Sequence, residues 1–293
     1  MSIASTVRPA FRDPELQRVY DRQGYVVVRT LEDDQIARLL ALWDTSVTPA
    51  HDLPLAVSVC SDDYAYRAKI DPEIRAAFAG FAARELIDYR LCVGSFLTKR
   101  GVGGPAIGLH TDTSFVDESR FLALNMWTTL VDVAPENGCL RMVPGSHLLS
   151  APIRGTIRTF RWPELIPLIE ERYLVDVPMV AGETCFIDPR TIHASYPNDS
   201  GANRICTSAL AVPAESELWY CYQESPSDDI DLYRHDDEYF RTHVHDAPPD
   251  GLTRFGRQPD ASPELTPERL AEAFAYGTGE CNDRVMTAVR RSG

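Results

Sequence analysis

The pattern of hydrophobic and polar residues predicts an N-terminal region, residues 1–89, that mixes helices with a strand. The stretch "DPELQRVYDRQG" has an acidic first turn and ends in Gly24, which is typical of a short helix. The β-branched run "YVVVRT" predicts a strand directly after it. Apolar residues in "DDQIARLLALW" recur at helical spacing, and a further helix is expected over about residues 72–88.

The pattern changes in residues 90–212, which contain short β-rich runs such as "RLCVGSFLT", "FLALNMWTTLVDV", "ETCFID" and "RICTSALAV". Gly, Pro, Asn or Asp often stands at the boundaries of these runs. Several short strands at this spacing predict a sandwich or barrel. One helix, around "WPELIPLIEERY", interrupts them. The fold class expected is therefore α+β, with a mainly β core flanked by helices.

Residues 213–293 form the third region. Residues 223–263 are rich in Asp, Pro and His, and they predict a long loop or lid. The stretch "TPERLAEAFAYG" predicts a helix that is capped by Thr266 and ends at Gly277. We expect the three regions to form one domain over residues 1–293.

Composition and charge restrict the class of protein. The formal charge of −14 argues against nucleic acid or an anionic membrane surface as a partner, and it favours a neutral or cationic small-molecule substrate. An anionic ligand would need a local cationic anchor. No apolar run is long enough to span a membrane, and no secretory signal is expected. The seven cysteines include no C-x-x-C pair, so we expect reduced thiols and a cytoplasmic location.

The stretch "GLHTDTSF" places His110 and Asp112 two residues apart. On an extended strand such residues point to one face, about 6.5 to 7 Å apart, so both side chains can approach one ion. A loop histidine beside a turn aspartate gives the same triplet. A second histidine would complete a 2-His-1-carboxylate site for non-haem Fe(II). Among the seven histidines, His193 lies in a β-rich context late in the sheet region; the others are His51, His147, His235, His243 and His245.

Two further features bear on this hypothesis. Arg204 follows His193 by eleven residues, at the start of a predicted strand, and its planar guanidinium can bind a carboxylate through two hydrogen bonds. A surface ion pair is the ordinary alternative for such an arginine. The "HVHD" stretch at 243–246 is a rival pair of metal ligands, whereas His147 in "VPGSH" fits a structural role.

Three stretches together resemble the phytanoyl-CoA dioxygenase family of Fe(II)- and 2-oxoglutarate-dependent oxygenases. They are the H-T-D triplet, "NMWTTLVDVAPENGCLRMVPGSH" and "GETCFIDPRTIHASYPNDSGANRI", and the resemblance covers about residues 15–212. It implies a double-stranded β-helix, a jelly roll of the cupin kind, with iron at the mouth of the barrel. It also implies the iron ligands His110, Asp112 and His193.

The same resemblance implies the residues that bind 2-oxoglutarate. Arg204 would pair with the distal carboxylate, Ser195 would support it, and Trp127 would form a wall of the pocket. Thr129 and Thr111 are further candidates for contact. Thr111 departs from the family pattern, because members often carry Gln at that position. From the usual placement of loops around a barrel mouth, the substrate-binding candidates are Phe115, Tyr64 and Tyr66.

The implied reaction consumes O2 and 2-oxoglutarate, releases succinate and CO2, and oxidises an unactivated C–H bond of a small organic molecule, for which a role in specialised metabolism is expected. Related halogenases lack the ligand carboxylate, so Asp112 favours hydroxylation, with desaturation or ring closure as open alternatives. Two other functions remain compatible with the sequence. One is a cupin-type metal enzyme that does not use 2-oxoglutarate, and the other is a catalytically silent binding protein on the same fold.

Overall fold

The computed structural model describes residues 7–46, 53–157, 159–226 and 228–279, so His51 lies outside the described residues. The helices are α1 (Pro14–Gln23), α2 (Asp33–Asp44), α3 (Tyr64–Glu85), α4 (Ile166–Arg172), α5 (Tyr239–Thr242) and α6 (Pro267–Thr278). The strands are β1 (Tyr25–Arg29), β2 (Leu55–Val57), β3 (Tyr89–Lys99), β4 (Ile107–His110), β5 (Leu124–Thr129), β6 (Leu140–Met142), β7 (Val175–Val177), β8 (Glu183–Ile187), β9 (His193–Ser195), β10 (Arg204–Pro213), β11 (Leu218–Tyr222), β12 (Ile230–His235) and β13 (Arg254–Gln258).

The predicted β core is confirmed as two antiparallel sheets. The large sheet has the strand order β1-β8-β5-β10-β3-β2, and the small sheet has the order β4-β9-β6-β7. Apolar residues from both sheets pack into one cluster, which includes Trp127 and Cys206 from the large sheet and Leu140 and Met142 from the small sheet. The two sheets therefore face each other as the halves of a jelly roll.

The helices cover the other face of the large sheet. Along β5, Met126 packs with the helices while its neighbour Trp127 packs between the sheets, as strand alternation requires. Ile74 and Phe78 of α3 belong to the cluster on the helical side. This division leaves the inter-sheet face of the large sheet available to line a cavity.

The third helix differs from its prediction at its start. It runs from Tyr64 rather than from about residue 72, so Pro72 lies in its interior. The Asp63 side chain caps it by accepting a hydrogen bond from the Tyr66 backbone N–H at 2.9 Å. A proline normally disfavours helix on its N-terminal side, but burial of Ile70 before it and Ile74 after it stabilises both turns.

Residues 223–263 also differ from the loop that was expected. They contain β12, α5 and β13, and these strands form a third antiparallel sheet in the order β11-β12-β13. Ile230 and Leu232 are buried while Asp231 binds arginines on the other side. The short alternation is hidden in a segment dominated by Asp, Pro and His. Among the described helices, none combines the length and hydrophobicity that crossing a bilayer requires.

Candidate functional site

The pairing of β4 with β9 brings the two predicted histidines together. His110 ends β4, His193 begins β9, and the two residues are register partners across the small sheet. Their ring centroids lie 4.1 Å apart. Asp112 follows two residues after β4, and its backbone N–H donates to the carbonyl oxygen of Pro189 at 2.8 Å. This bond holds Asp112 against the turn that leads into β9.

The three side chains converge on one point. The Asp112 Oδ1 atom lies 3.9 Å from the Nε2 atom of His110 and 3.9 Å from that of His193. All three ligand atoms lie within 4.8 Å of one another. Two ligands at about 2.1 Å from one metal and 90° apart are about 3 Å from each other, so an ion would draw the Asp112 carboxylate and each imidazole together by about 1 Å. The arrangement therefore fits a metal ion.

Hydrogen bonds set the orientation of each ligand. The Nδ1 atom of His110 lies 2.9 Å from the carbonyl oxygen of Gly108, and that of His193 lies 2.9 Å from the carbonyl oxygen of Thr191. A carbonyl can only accept, so both Nδ1 atoms carry the proton and both Nε2 atoms present a lone pair to the metal. The Asn125 amide donates to Asp112 Oδ2 at 2.8 Å, which leaves Oδ1 for coordination.

A buried ion pair supports the loop that carries Asp112. The Arg154 Nε atom donates to the backbone carbonyl of Asp112 at 2.9 Å. Its two Nη atoms bind the Glu118 carboxylate at 2.7 and 3.0 Å. Both side chains are buried, and removal of either partner would leave an uncompensated charge beside the metal ligands.

One cavity of about 230 Å³ lies beside the ligand set. We call the part lined by Arg204, Ser195 and Trp127 the inner end, and the part lined by Val59, Phe115, Phe240 and His245 the outer end. His110, Asp112 and His193 line the same cavity. A ligand within it can therefore contact the metal site and either end.

Arg204 is the main cationic group of the inner end. Its side chain is buried, its guanidinium stacks on the Trp127 ring at 5.3 Å, and one Nη atom donates to the Gly138 carbonyl oxygen at 2.8 Å. Its Nε atom is buried and has no hydrogen-bond partner within the described residues. A buried guanidinium with an unpartnered N–H group, in a residue that lines a cavity, is suited to binding an anionic ligand.

A second buried cation lies next to Arg204. Lys99 is its register partner across the β3–β10 pair, and its Nζ atom donates to Ser195 Oγ at 2.8 Å and to the Tyr196 carbonyl oxygen. Burial, together with the positive charge of Arg204, lowers the pKa of Lys99 to about 7. In the described part of the chain, neither cation forms a salt bridge with a carboxylate. The inner end thus concentrates uncompensated positive charge.

The two candidate threonines lie away from this cavity's lining. Thr129 is buried, and its hydroxyl donates to the Val131 carbonyl oxygen. Thr111 lines a second cavity of about 280 Å³ that shares only His110 with the first. Alternation explains the position of Thr111, because it lies between two residues that point toward the metal site.

Of the three residues predicted to contact substrate, Phe115 lines the cavity and the two tyrosines do not. Tyr64 is exposed at the start of α3, where the Arg67 guanidinium lies over its ring. Tyr66 is buried in the cluster between α3 and the large sheet. The two tyrosines do not line the cavity because α3 extends back to Tyr64. This extension places them on a helix rather than on a loop at the barrel mouth.

The other histidines do not form a second metal cluster among the described residues. In "HVHD", the Nε2 atom of His243 lies 3.2 Å from the Ala247 carbonyl oxygen, whereas His245 lines the cavity. His147 is buried with its Nε2 atom 3.1 Å from the Asp21 carbonyl oxygen. Burial lowers the pKa of His147 to about 4, in accord with a neutral structural role.

Sequence reasoning missed Lys99, Asn125 and Phe240, and it considered His245 only as a rival metal ligand. Asn125 left a signal, since it is a polar residue in an apolar strand two positions before Trp127 and therefore on the same face. Lys99 ends the run "RLCVGSFLTK" but looks like an ordinary charged strand end. No local pattern places Phe240 or His245 in the cavity wall, because tertiary contacts of α5 and the loop after it bring them there.

Comparison with known proteins places this geometry in a family. The family model "Phytanoyl-CoA dioxygenase (PhyH)" matches residues 20–206, well over half of the chain. The phytanoyl-CoA dioxygenase of Arabidopsis thaliana is 34% identical over 123 residues, which cover 41% of this chain and 42% of that protein. The phytanoyl-CoA dioxygenase domain-containing protein 1 of Danio rerio is 27% identical over a region that covers 46% of this chain and 49% of that protein.

Solved structures show the same architecture. The epimerase SnoN, crystallised with Fe3+, alpha ketoglutarate and nogalamycin RO, is 27% identical, with a TM-score of 0.51 over 70% of this chain and 87% of SnoN. EctD from S. alaskensis, crystallised with 2-oxoglutarate and 5-hydroxyectoine, is 18% identical with a TM-score of 0.51, over 77% of this chain and 83% of EctD. The EctD likeness bears on the fold alone.

The aligned region spans less than half the length of the curated relatives, at 42% and 49% of the two described above. The matched residues nevertheless include all three metal-site side chains and both buried cations of the inner end. The predicted resemblance is confirmed, and the chain belongs to the phytanoyl-CoA dioxygenase family.

Proposed function

We propose that the protein is an Fe(II)- and 2-oxoglutarate-dependent oxygenase that hydroxylates a C–H bond of a small organic molecule. One observation carries the proposal. A single cavity is lined by the convergent set His110, Asp112 and His193 and by the buried Arg204 guanidinium. A metal site and an anion site that share one cavity are what a metal-chelating dianion such as 2-oxoglutarate requires.

The donor set fits iron. Two imidazole Nε2 atoms and one carboxylate oxygen form the 2-His-1-carboxylate arrangement of non-haem Fe(II), which leaves positions open for other ligands. When bound there with 2-oxoglutarate and O2, iron supplies the oxidation of a C–H bond, coupled to formation of succinate and CO2. Asn125 keeps Asp112 oriented with a single oxygen toward the metal.

The inner end would hold 2-oxoglutarate by its distal carboxylate. Arg204 supplies the unpaired N–H group and the adjacent Nη, and Ser195 supplies a hydroxyl that Lys99 orients. Trp127 packs against the guanidinium and excludes water from that side. An anion bound here would be attracted to both buried cations. This attraction offsets the free-energy cost of burying the two positive charges away from water.

The nature of the outer end supports a small organic substrate. Its walls are mainly aliphatic and aromatic, and SnoN, a similar protein, was crystallised with nogalamycin RO. The net charge of −14 favours a neutral or cationic substrate over a polyanion. The carboxylate of Asp112 would take the third protein position at the metal, which favours hydroxylation over halogenation.

The test is turnover of 2-oxoglutarate by the purified protein with Fe(II), ascorbate and O2. We expect slow release of succinate without a substrate, and we expect His110→Ala to abolish it. Anaerobic calorimetry on the Fe(II)-loaded protein should show 2-oxoglutarate binding in the wild type.

Equal succinate release by the wild type and His110→Ala would contradict the proposal. Oxidation of a substrate in the absence of 2-oxoglutarate would instead identify a cupin-type enzyme of another class. Failure to retain iron under anaerobic conditions would identify a binding protein.

A further inference from the structure

The cavity runs along the strands of the large sheet. Arg204, Ser208 and Leu210 of β10 line it, and they lie on one face because each is an even number of residues from the next. Leu210 follows Arg204 by six residues, which corresponds to about 20 Å along a strand. Arg204 of the inner end and Leu210 therefore lie at opposite ends of this wall.

The metal-site side chains are level with the Leu210 end of the wall. Leu210 is the register partner of Asn125 on β5, and the Asn125 amide binds the Asp112 carboxylate. On its other side, Leu210 pairs with Val93 of β3, which also lines the cavity. A group that lies against Leu210 and Val93 in the cavity is therefore next to the metal ligands.

Apolar side chains surround the cavity at this level. Leu210 and Phe240 belong to one buried cluster, and Val93 and Phe115 pack against it. All four residues line the cavity. A substrate group that lies here makes mainly hydrophobic contacts, and each methylene that it buries should tighten binding about fourfold.

Phe240 ends the cavity on this side. The residue is only 5% exposed, and it shares its cluster with Leu218 and Tyr220 of the third sheet, so its ring lies between the cavity and that sheet. The ring packs edge to face against Phe115 at 5.9 Å and against His235 at 4.4 Å. A rigid ring held in this way limits the length of the group that fits.

Two side chains of α3 hold the short helix α5, which carries Phe240. The buried Arg67 donates to the backbone carbonyl oxygens of Phe240 and of His243, the latter at 2.7 Å. One turn further along α3, Asp71 Oδ2 lies 3.2 Å from the Arg241 Nε atom. The last carbonyl groups of a helix have no partner within it, so a cation from another helix is well suited to bind them.

The contact of Asp71 extends to the large sheet. Its carboxylate accepts a hydrogen bond from the Gly94 backbone N–H at 2.7 Å, and Gly94 follows Val93 on β3. One carboxylate thus connects α5 with a strand of the cavity wall. Neither Arg67 nor Asp71 lines the cavity, so these residues act on a ligand through the elements that they hold.

The cavity volume makes such a limit on length important. About 230 Å³ is smaller than the roughly 300–1,000 Å³ of pockets that enclose drug-sized ligands. This volume must hold both 2-oxoglutarate and the part of the substrate that is oxidised. Phe240 lies beyond residue 206, where the family model ends, so the limit is set by a part of the chain that the model does not cover.

We propose that Phe240 sets the length of the substrate group that can lie beside the metal, and that Arg67 positions Phe240. The substrate places a compact apolar group, such as a hydrocarbon ring or a short alkyl chain, against this ring. This inference rests on the proposed function, because it assumes that 2-oxoglutarate occupies the inner end.

The test measures how binding depends on the length of an apolar probe. The probes are benzene, toluene, ethylbenzene, propylbenzene and butylbenzene. Their binding to the protein loaded with Zn(II) and 2-oxoglutarate is measured by saturation-transfer NMR titration, so that no turnover occurs. In the wild type, we expect the affinity to rise with each methylene until the chain meets Phe240 and then to fall.

Phe240→Ala should move this affinity maximum to a longer probe. We expect it to bind butylbenzene at least about 10-fold more tightly than the wild type does, because the space of the ring accepts two or more methylenes. Phe240→Leu should give a smaller shift in the same direction, and it decides the question if the alanine variant does not fold.

The matched control is Phe81→Ala, which makes the same exchange at a ring that is also 5% exposed but lies in the cluster on the helical side of the large sheet. It should keep the wild-type maximum. The affinity for 2-oxoglutarate, measured on every variant, shows that each one is folded, and it should stay within about twofold of the wild type because the inner end is distant.

The role of Arg67 is tested with Arg67→Met, which removes the hydrogen bonds to α5 but leaves the cavity lining unchanged. We expect the affinity maximum to be lost, so that probes of different length bind similarly. Arg67→Lys retains a cationic donor and should restore the maximum in part. Arg29→Met should keep it, because Arg29 donates to the Ala181 carbonyl oxygen away from the cavity.

Three results overturn the inference. They are an unchanged maximum in the folded Phe240 variants, a wild-type affinity that still rises at butylbenzene, and no binding of any probe to a wild type that binds 2-oxoglutarate. An unchanged maximum in Arg67→Met refutes the positioning role of Arg67. A wild type that does not bind 2-oxoglutarate refutes the proposed function instead, and the inference is then rejected with it.

Discussion

The inner and outer ends of the cavity are built in different ways. The inner end is built from strands of both sheets: Arg204 lies on β10, Ser195 lies on β9, and Lys99, which donates to Ser195, lies on β3. Phe115, Phe240 and His245 of the outer end lie on a loop, on the short helix α5 and on the loop after it. The inner end carries two buried cations, whereas the outer end is largely apolar.

This difference indicates which part of the site is shared and which is particular to the chain. Strand register holds charged groups at distances that vary little, which suits the small dianion proposed for the inner end. Loops and short helices tolerate sequence change, which suits the recognition of different substrates. In agreement, the family match covers the whole inner end but stops before Phe240 and His245.

The largest expected effect is at the inner end, from Arg204→Met. Loss of the buried guanidinium should weaken 2-oxoglutarate binding at least about 100-fold, because a desolvated charge partner contributes about 3 kcal/mol or more. Anaerobic calorimetry on the metal-loaded protein measures this. The matched change at the outer end, Phe240→Leu, should alter the affinity by less than about twofold; similar losses in both variants would show that the two ends are not independent.

A smaller effect is expected where the two ends meet at the metal. Asn125→Leu keeps the side-chain size but removes the hydrogen bond to Asp112 Oδ2, so metal affinity should fall about 10- to 100-fold. Competition with a metal chelator measures this. Met126→Leu, at the neighbouring residue that faces the helices, is the control and should bind metal as the wild type does.

The pH dependence of 2-oxoglutarate binding should further distinguish the inner end of the cavity from the outer end. The pKa of Lys99 is about 7 in the folded protein, and its cationic form favours a bound carboxylate. The Kd for 2-oxoglutarate should therefore rise above pH 7, by up to about tenfold per pH unit. Lys99→Met should bind more weakly at pH 7 but lose this dependence. An equally steep profile in the variant would exclude Lys99 as its source.

The same lysine should make the folded protein more stable as pH rises, whereas it makes 2-oxoglutarate binding weaker. Its folded pKa of about 7 lies below its ordinary value of 10.5, so its charge destabilises the fold below pH 7 and this penalty declines as pH rises toward 10.5. Thermal unfolding of Lys99→Met at pH 7, without ligand, should give a midpoint at or above that of the wild type. A much lower midpoint would show that its bonds to Ser195 and Tyr196 dominate.

The smallest effect is expected from Phe115→Leu at the outer end. A volume-reducing apolar exchange at this half-buried position should cost less than about 1.5 kcal/mol of unfolding free energy. The 2-oxoglutarate affinity should stay within about twofold, while binding of apolar probes weakens. A loss of 2-oxoglutarate affinity here would argue that the outer wall shapes the inner end.

The sequence predicted the convergence of His110, Asp112 and His193 better than the walls of the cavity. His110 and Asp112 are two residues apart, and His193 and Arg204 are eleven apart across one turn, so their relation is encoded over short distances. Tyr64 and Tyr66, predicted as substrate-binding residues, do not line the cavity, because the extra turns of α3 depend on burial of Ile70 and Ile74 against the sheet. That burial is not visible in local periodicity.

Local chain patterns were thus sufficient for the β core, the flanking helices and the spacing of the candidate ligands, since strand alternation and helix caps act between near neighbours. Contacts between distant residues decided the rest. Lys99 meets Arg204 only through the β3–β10 register, and Asn125 meets Asp112 only across the two sheets. His245 lines the cavity because Arg67 and Val59 bind the backbone of residues 239–247 there. Charge and hydrogen bonding at the site are set by these tertiary contacts, which no short stretch of sequence contains.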